Sequence, residues 1–232
     1  MCNPPVNFDR LAPFYQAMEF LTAGGKLQRC RMEFLHDIPP PRSILLAGEG
    51  HGRSLPAFAR KFPDAEITVV DGSARMLEIA SRRVPGRVAP VHFIHADLLE
   101  WDGPPGSFDL VVTQFFLDCF PEHQLPLVVA KLASLATPSA DWLLADFHIP
   151  ESGAAPWRSR LIVWLLYRFF GIACQLRARS LHPPDSAMRE AGFDLRHERF
   201  FDWSLLKSQW WRREERTGGN AYVACGGLDT GL

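Results

Sequence analysis

Residues 43–54 read Ser-Ile-Leu-Leu-Ala-Gly-Glu-Gly-His-Gly-Arg-Ser, an apolar run followed by glycine at three alternate positions. The run is the length of one short buried strand, and a helix can begin just past the glycines. A strand that opens directly into a glycine-dense turn brings main chain to a ligand, because only glycine lets the backbone approach so closely. A dinucleotide fingerprint calls for glycine or alanine at position 53, where Arg53 stands. A phosphate loop would end in Gly-Lys-Ser/Thr, which is also absent.

Downstream of this turn, strands and helices alternate. Residues 44–47 predict strand one and 52–62 its helix; 66–71 predict strand two, and Ser73 caps a helix reaching Arg83. Residues 91–95 predict strand three, 108–113 strand four, and 141–146 strand five, with a helix from Pro121 to about Ala136. Continuous apolar runs such as Leu110-Val111-Val112 suit strands covered on both faces. The alternation predicts an α/β, doubly wound Rossmann-like sheet that is mostly parallel. A helix over 182–191 ends at Gly192. Residues 193–201 and 221–225 then predict an antiparallel edge pair. Residues 1–41 form a helical N-terminal cap closed by Pro39-Pro40-Pro41, with helical stretches around Phe8–Leu21 and 26–36. Residues 42–232 form the main domain, and a mainly helical insertion over 150–180 is its lid.

The chain has 232 residues and a formal net charge of -1, room for one large domain with a small cap. That balance leaves no electrostatic footprint for nucleic acid, which is not expected as a partner. Cys2, Cys30, Cys119, Cys174 and Cys225 are scattered without C-x-x-C spacing, so neither a metal site nor a disulfide framework is indicated. With no basic-then-apolar run at the start, the expected compartment is cytoplasmic. The longest apolar stretch, 161–174, contains Arg168 and is shorter than a membrane span.

Ligands of open α/β sheets lie at the carboxyl ends of the strands. Asp71 stands there after strand two, about 20 residues past the turn, where a carboxylate accepts both hydroxyls of a ribose; a helix-entry aspartate is the alternative. Asp97 follows strand three and can accept from the exocyclic amine of adenine, with the Leu98 amide donating to a ring nitrogen; the alternative is a loop cap. Met76 suits a purine face or simple core packing. The order Gly-x-Gly-x-Gly (48–52), Val-Val-Asp-Gly-Ser-Ala-Arg-Met-Leu-Glu-Ile-Ala (69–80), Ala-Asp-Leu (96–98) and Phe-Asp-Leu-Val-Val-Thr (108–113) resembles the class I S-adenosylmethionine-dependent methyltransferases. It is most similar to the small-molecule type that includes ubiquinone and menaquinone biosynthesis enzymes. The preface Phe-Asp-Arg-Leu-Ala-Pro-Phe-Tyr (8–15) shares the likeness, which covers most of residues 8–146.

The resemblance implies S-adenosyl-L-methionine as cofactor and S-adenosyl-L-homocysteine as product. It implies that Gly48 and Gly50 pass the methionine part, Asp71 holds the ribose, Asp97 faces the adenine, and Tyr15 helps close the site; for Tyr15 the alternative is a core aromatic of the N-terminal helix. Gly72, Met76, Leu98 and Thr113 complete the implied cofactor-binding set. The family usually places an acid two positions before the first glycine; here that position is Leu46. Glu49 is either a substitute for that acid or a partner of the next helix start.

Methyl transfer is an in-line displacement that needs alignment first and a base only where the acceptor is protonated. His148 after strand five and Asp118 in Phe-Phe-Leu-Asp-Cys-Phe are the candidate catalytic groups, each with a structural alternative; His51 is a further candidate. Trp157, Trp164, Tyr167, Phe169 and Phe170 suit an apolar wall for a small, hydrophobic or aromatic methyl acceptor, or packing, or a homodimer contact. Arg158, Arg160, Arg168, Arg177 and Arg179 suit a solvated face, an anionic acceptor or peripheral contact with a membrane surface. Trp210-Trp211-Arg212-Arg213 mixes basic and aromatic residues as some nucleic-acid binders do. The expectation is O-, N- or C-methylation of a small molecule. The rivals are a methyltransferase-fold binding or scaffold protein without activity, a nucleic-acid or protein methyltransferase, and a nicotinamide oxidoreductase disfavoured by Arg53.

Overall fold

The computed structural model describes residues 25–84, 86, 89–150, 156–174 and 181–214. Among them the helices are α1 (Gly25–Met32), α2 (Leu55–Lys61), α3 (Ala74–Ser81), α4 (Leu125–Leu135), α5 (Pro156–Cys174) and α6 (Asp185–Glu190). The strands are β1 (Ser43–Ala47), β2 (Glu66–Asp71), β3 (Val91–His95), β4 (Phe108–Gln114), β5 (Ala136–Phe147), β6 (Phe193–Phe201) and β7 (Leu206–Arg213). They form one sheet in the order β3-β2-β1-β4-β5-β7-β6. The first five are parallel, and β7 runs antiparallel to both β5 and β6. The chain leaves β1 toward β2 and β3, then crosses back to β4, so the switch point lies between β1 and β4. The glycine turn opens there.

Each face of the sheet has its own core. Leu45, Ala47, Val111, Trp142 and Leu144 pack against α4 and α6. Ile44, Leu46, Val69, Leu110, Val112 and Leu143 pack against α2 and α3. Leu45 and Leu46 thus point to opposite faces, and both are buried, which is why a central parallel strand reads as an unbroken apolar run. Truncating either to alanine removes a fully packed side chain, at a cost of about 2–5 kcal/mol. A third core joins α1, α5 and the sheet edge through Leu27, Cys30, Phe115, Ala145, Val163 and Leu206.

Ser73 caps α3 as expected, its hydroxyl accepting from the Met76 amide at 3.1 Å. Gly192 takes φ +85° after α6. Other boundaries moved. α2 starts at Leu55, because the turn itself consumes residues through Ser54. The antiparallel edge pair is present, but β7 is Leu206–Arg213; the expected strand at 221–225 lies outside the described residues. β7 hides its identity because Lys207 and Gln209 are buried polar residues that break apolar patterning. α6 supplies their partner: Asp185 accepts from Lys207 Nζ at 2.8 Å and from Gln209 Nε2 at 2.9 Å. Trp210-Trp211-Arg212-Arg213 is therefore a strand rather than a surface patch. Trp211 is buried, the Trp210 indole donates to Asp141 at 2.7 Å, and Arg213 lies 4.5 Å over the Phe193 ring. Among the described residues no helix is long and apolar enough to cross a membrane.

Candidate functional site

The turn after β1 is shaped by backbone that other residues tolerate poorly. Gly48, Gly50 and Gly52 have φ of +66°, +60° and +76°. A Cβ on Gly48 would stand 2.0 Å from Phe116 Cδ2, and one on Gly52 would stand 2.8 Å from Ala80 of α3. The end of β4 therefore crowds the first glycine, and helix packing crowds the third. Around Gly50 a Cβ would meet nothing within 4 Å, so the middle of the turn presents bare backbone to open space. Its N–H donates to Asp71 Oδ2 at 2.9 Å, and the Ser73 N–H donates to Asp71 Oδ1 at 2.9 Å. The half-buried Asp71 carboxylate is thereby fixed at the rim of the turn by main-chain donors from both sides.

Glu49 resolves toward the helix. Its Oε1 accepts from the N–H groups of Ser54 and Leu55 at 2.6 and 2.9 Å. It thus satisfies orphan donors at the start of α2, where Ser54 makes no side-chain cap. In this arrangement it caps the helix, the second of the two roles expected for it. Burial pushes this carboxyl up to about 7, against the lowering effect of the two amide bonds. Leu46, at the position the family usually makes acidic, is buried among Val69, Val112 and Phe58 in the core. His51 is also buried, with Arg53 Nε donating to its Nε2 at 3.1 Å.

Asp97 stands exposed past β3, and its Oδ1 accepts from the Leu99 amide at 2.9 Å, so it caps its loop. The Leu98 side chain goes into the core. Gly72 contributes a carbonyl that contacts His95 Nε2 at 3.1 Å. Met76 is buried in the first turn of α3. The Thr113 hydroxyl is buried and accepts from the Trp142 indole at 2.9 Å. The side chain therefore serves the core, because an indole N–H on an inner strand must find an acceptor. Tyr15 lies outside the described residues.

Across the switch point, Phe115 holds φ +56°, a strained value for a bulky residue. Its ring meets Phe147 edge-on at 5.2 Å and lies under the Arg31 guanidinium at 4.8 Å. A 3₁₀ turn at Leu117–Cys119 follows and carries Asp118 against Asp146 at the end of β5. The Asp118 N–H donates to Asp146 Oδ2 at 3.2 Å, and the Phe147 N–H to Asp146 Oδ1 at 3.2 Å. The two buried carboxyls lie close enough for each to feel the other's charge. Burial pushes Asp118 up to about 6. Burial and the neighbouring Asp118 charge push Asp146 well above the ordinary carboxylate range. Phe116 and Phe120 stack edge-to-face at 5.1 Å beside this pair.

His148 is tied to the β6–β7 turn. Its N–H donates to the Leu205 carbonyl at 2.7 Å, and its Nδ1 lies 2.9 Å from the Ser204 carbonyl. A carbonyl only accepts, so Nδ1 carries a proton, and in the neutral ring Nε2 is the accepting nitrogen. Trp157 and Trp164 of the expected acceptor wall face outward on α5 and are exposed, so they do not line an enclosed pocket. The side chains of Tyr167, Phe169 and Phe170 lie outside the described residues.

Two residues had drawn no role from sequence. Asp146 ends an apolar strand, and nothing local shows that a carboxylate 28 residues away will meet it. Gln114 is buried at the end of β4; its Nε2 donates to the Arg31 carbonyl at 2.8 Å, and its Oε1 accepts from Ser54 Oγ. It ties the switch point to α1 and α2.

A parallel sheet with a reversed edge pair, and a glycine turn locked to a carboxylate at the end of β2, define the class I methyltransferase architecture. A family profile described as a methyltransferase domain matches residues 44–139. Trans-aconitate 2-methyltransferase of Rhodopseudomonas palustris strain BisB18 is 31% identical over 157 residues, spanning 63% of this chain and 59% of that protein. A 1,6-didemethyltoxoflavin-N1-methyltransferase from Burkholderia thailandensis, solved with its acceptor and S-adenosylhomocysteine, superposes with TM-score 0.61 at 18% identity. That match covers 89% of this chain and 86% of the other. The magnesium protoporphyrin IX methyltransferase of Synechocystis, solved with S-adenosylhomocysteine, gives 0.59 at 18% identity over 92% and 90%. Residues 44–139 thus match a methyltransferase-domain profile, and the fold is that of the solved methyltransferases. The chain spans less than two thirds of the length of the curated relatives it matches.

Proposed function

We propose that this protein transfers a methyl group from S-adenosylmethionine to a small neutral or cationic molecule with an aromatic or apolar body. The observation that carries the reading is the Asp71 carboxylate, fixed 2.9 Å from the Gly50 amide at the mouth of a turn whose centre is bare backbone. The residues fit the cofactor. Asp71 would take the ribose hydroxyls, Asp97 the adenine amine, and the Gly48–Gly50 backbone would run along the methionine part. When bound, S-adenosylmethionine supplies an electrophilic methyl group on a sulfonium sulfur.

The acceptor side follows from what surrounds the ends of β4 and β5. Phe116 and Phe120 offer apolar edges to a flat molecule. Asp118 lies against Asp146 and is raised to about 6, so near neutral pH its carboxylate can take up the proton that an O–H or N–H acceptor gives up. His148 Nε2 is a second accepting atom in the same region of the fold. A carboxylate acceptor would meet the charge of this pair, so trans-aconitate is a weak substrate in this reading. Methyl-labelled S-adenosylmethionine incubated with phenols, quinols, heteroaromatic amines and trans-aconitate tests it. Label should appear in a phenol, quinol or amine and not in trans-aconitate. Transfer to trans-aconitate alone would overturn the acceptor class. S-adenosylmethionine binding without transfer to any acceptor would favour a binding protein of the same fold.

A further inference from the structure

The longest helix among the described residues turns an apolar face to water. In α5, Trp157, Leu161, Trp164 and Leu165 are 68%, 48%, 57% and 52% exposed. Their spacing places them on one side of the helix. The opposite side, with Ser159, Ile162 and Val163, packs into the third core. The bond from Arg158 to Asp202 at 3.3 Å fixes the start of α5 against the β6–β7 turn, where Trp203 is 74% exposed. Of the exposed large hydrophobics among the described residues, only Leu127 and Phe200 lie outside this helix and turn.

Charge singles out the same face. From residue 152 to 184 the sequence has no aspartate or glutamate, yet it has Arg158, Arg160, Arg168, Arg177 and Arg179. The whole chain is at -1, so this stretch, with five arginines and no acid, is locally positive. Arg160 and Arg168 are exposed on the arc that carries the tryptophans, and Arg168 lies 5.9 Å over the Trp164 ring. Indole and leucine side chains reach the acyl boundary, while arginine stems run up to place guanidinium groups among phosphates. α5 is not long and apolar enough to cross a bilayer. A two-fold contact between copies through this face would oppose arginines with no acid on the helix to pair them.

We propose that α5 and the β6–β7 turn seat this protein on an anionic lipid bilayer, with the helix lying in the headgroup plane. The Ser204 carbonyl next to Trp203 holds His148, so the lipid contact adjoins the candidate site and would open it to acceptors dissolved in the membrane. The proposal does not depend on the methyl-transfer reading. Flotation of the full chain with phosphatidylcholine vesicles, alone or with about one-third phosphatidylglycerol, tests it. Binding to the anionic vesicles should be roughly tenfold or more tighter, weaken in high salt, and shift tryptophan emission to the blue. Trp157→Ser with Trp164→Ser, and separately Arg160→Gln with Arg168→Gln, should each lower binding about tenfold. Because these side chains are exposed, the thermal midpoint should stay unchanged. Protein that floats with neither vesicle type, or binding untouched by both double variants, would overturn the proposal. A dimer in sedimentation that the tryptophan variant dissolves would assign the face to a second copy instead.

Discussion

The carboxylates around the switch point and those at the antiparallel edge flank the same sheet, but they are answered by different donors. Glu49 accepts from the amides of Ser54 and Leu55, and Asp146 from the amides of Asp118 and Phe147. At the edge, Asp202 accepts from Lys26 and Arg158, and Asp185 from Lys207 and Gln209. Their protonation follows from this. Burial raises Glu49 to about 7 and Asp118 to about 6, and lifts Asp146 well above its usual range. The cations Lys207, Lys26 and Arg158 hold Asp185 and Asp202 below theirs despite burial. The switch-point carboxyls are thus where protons can move near neutral pH, whereas Asp185 and Asp202 are fixed charges. The edge locks α1, α5 and α6 in place around these groups.

The largest expected effect attacks the switch-point side directly. Gly48→Val would place a branched side chain at φ +66° with its Cβ inside the Phe116 ring contact. It should cost roughly 3 kcal/mol or more in urea unfolding. A loss under ~1 kcal/mol would mean the turn can relax and the backbone argument fails. Next comes Lys207→Met at the edge, which leaves the Asp185 charge with Gln209 alone. A loss of about 2–3 kcal/mol is expected, and neutrality would show that the edge charges are not structural.

A smaller change separates capping from ligand binding. Glu49→Ala should cost about 1 kcal/mol of stability through the α2 start, with S-adenosylmethionine affinity changed less than about threefold. A tenfold loss of affinity at unchanged stability would return Glu49 to the cofactor.

The smallest effect is a slope. Asp118, Asp146 and Glu49 hold protons in the folded state that their ordinary values of 3.8 and 4.5 would release in the unfolded chain. The native state then binds more protons, so stability falls as pH rises from about 4 through about 7. Asp185 and Asp202 act oppositely: their contribution is present above an ordinary value of 3.8 and lost as pH drops below it. Asp146→Asn should flatten the neutral slope and leave the acid limb, whereas Asp202→Asn should do the reverse. If Asp146→Asn left the neutral slope intact, Asp146 would not be the protonated carboxyl.

The same division decides what the sequence reveals. β1, β2 and β4 are legible because each is short, apolar and buried on both faces, and the alternating glycines have no competing use. Asp71 was legible by its distance from the turn. β7 was not: Lys207 and Gln209 look solvated until Asp185, more than twenty residues earlier, arrives on α6 to pair them. Thr113 and Glu49 occupy the right places in the chain, but their side chains serve Trp142 and the start of α2. Asp146 gained meaning only when the 3₁₀ turn brought Asp118 against it. Local pattern shows which backbone is buried; it does not show which polar groups meet across the fold.

Calorimetric titration with S-adenosylmethionine and S-adenosylhomocysteine, on the wild type and on Asp71→Ala, tests the central claim most directly. The account predicts micromolar binding of both to the wild type. It predicts a loss of roughly 10- to 100-fold in Asp71→Ala, the worth of charged hydrogen bonds to the ribose. Binding of neither ligand to the folded wild-type protein, or equal affinity in Asp71→Ala, would contradict it.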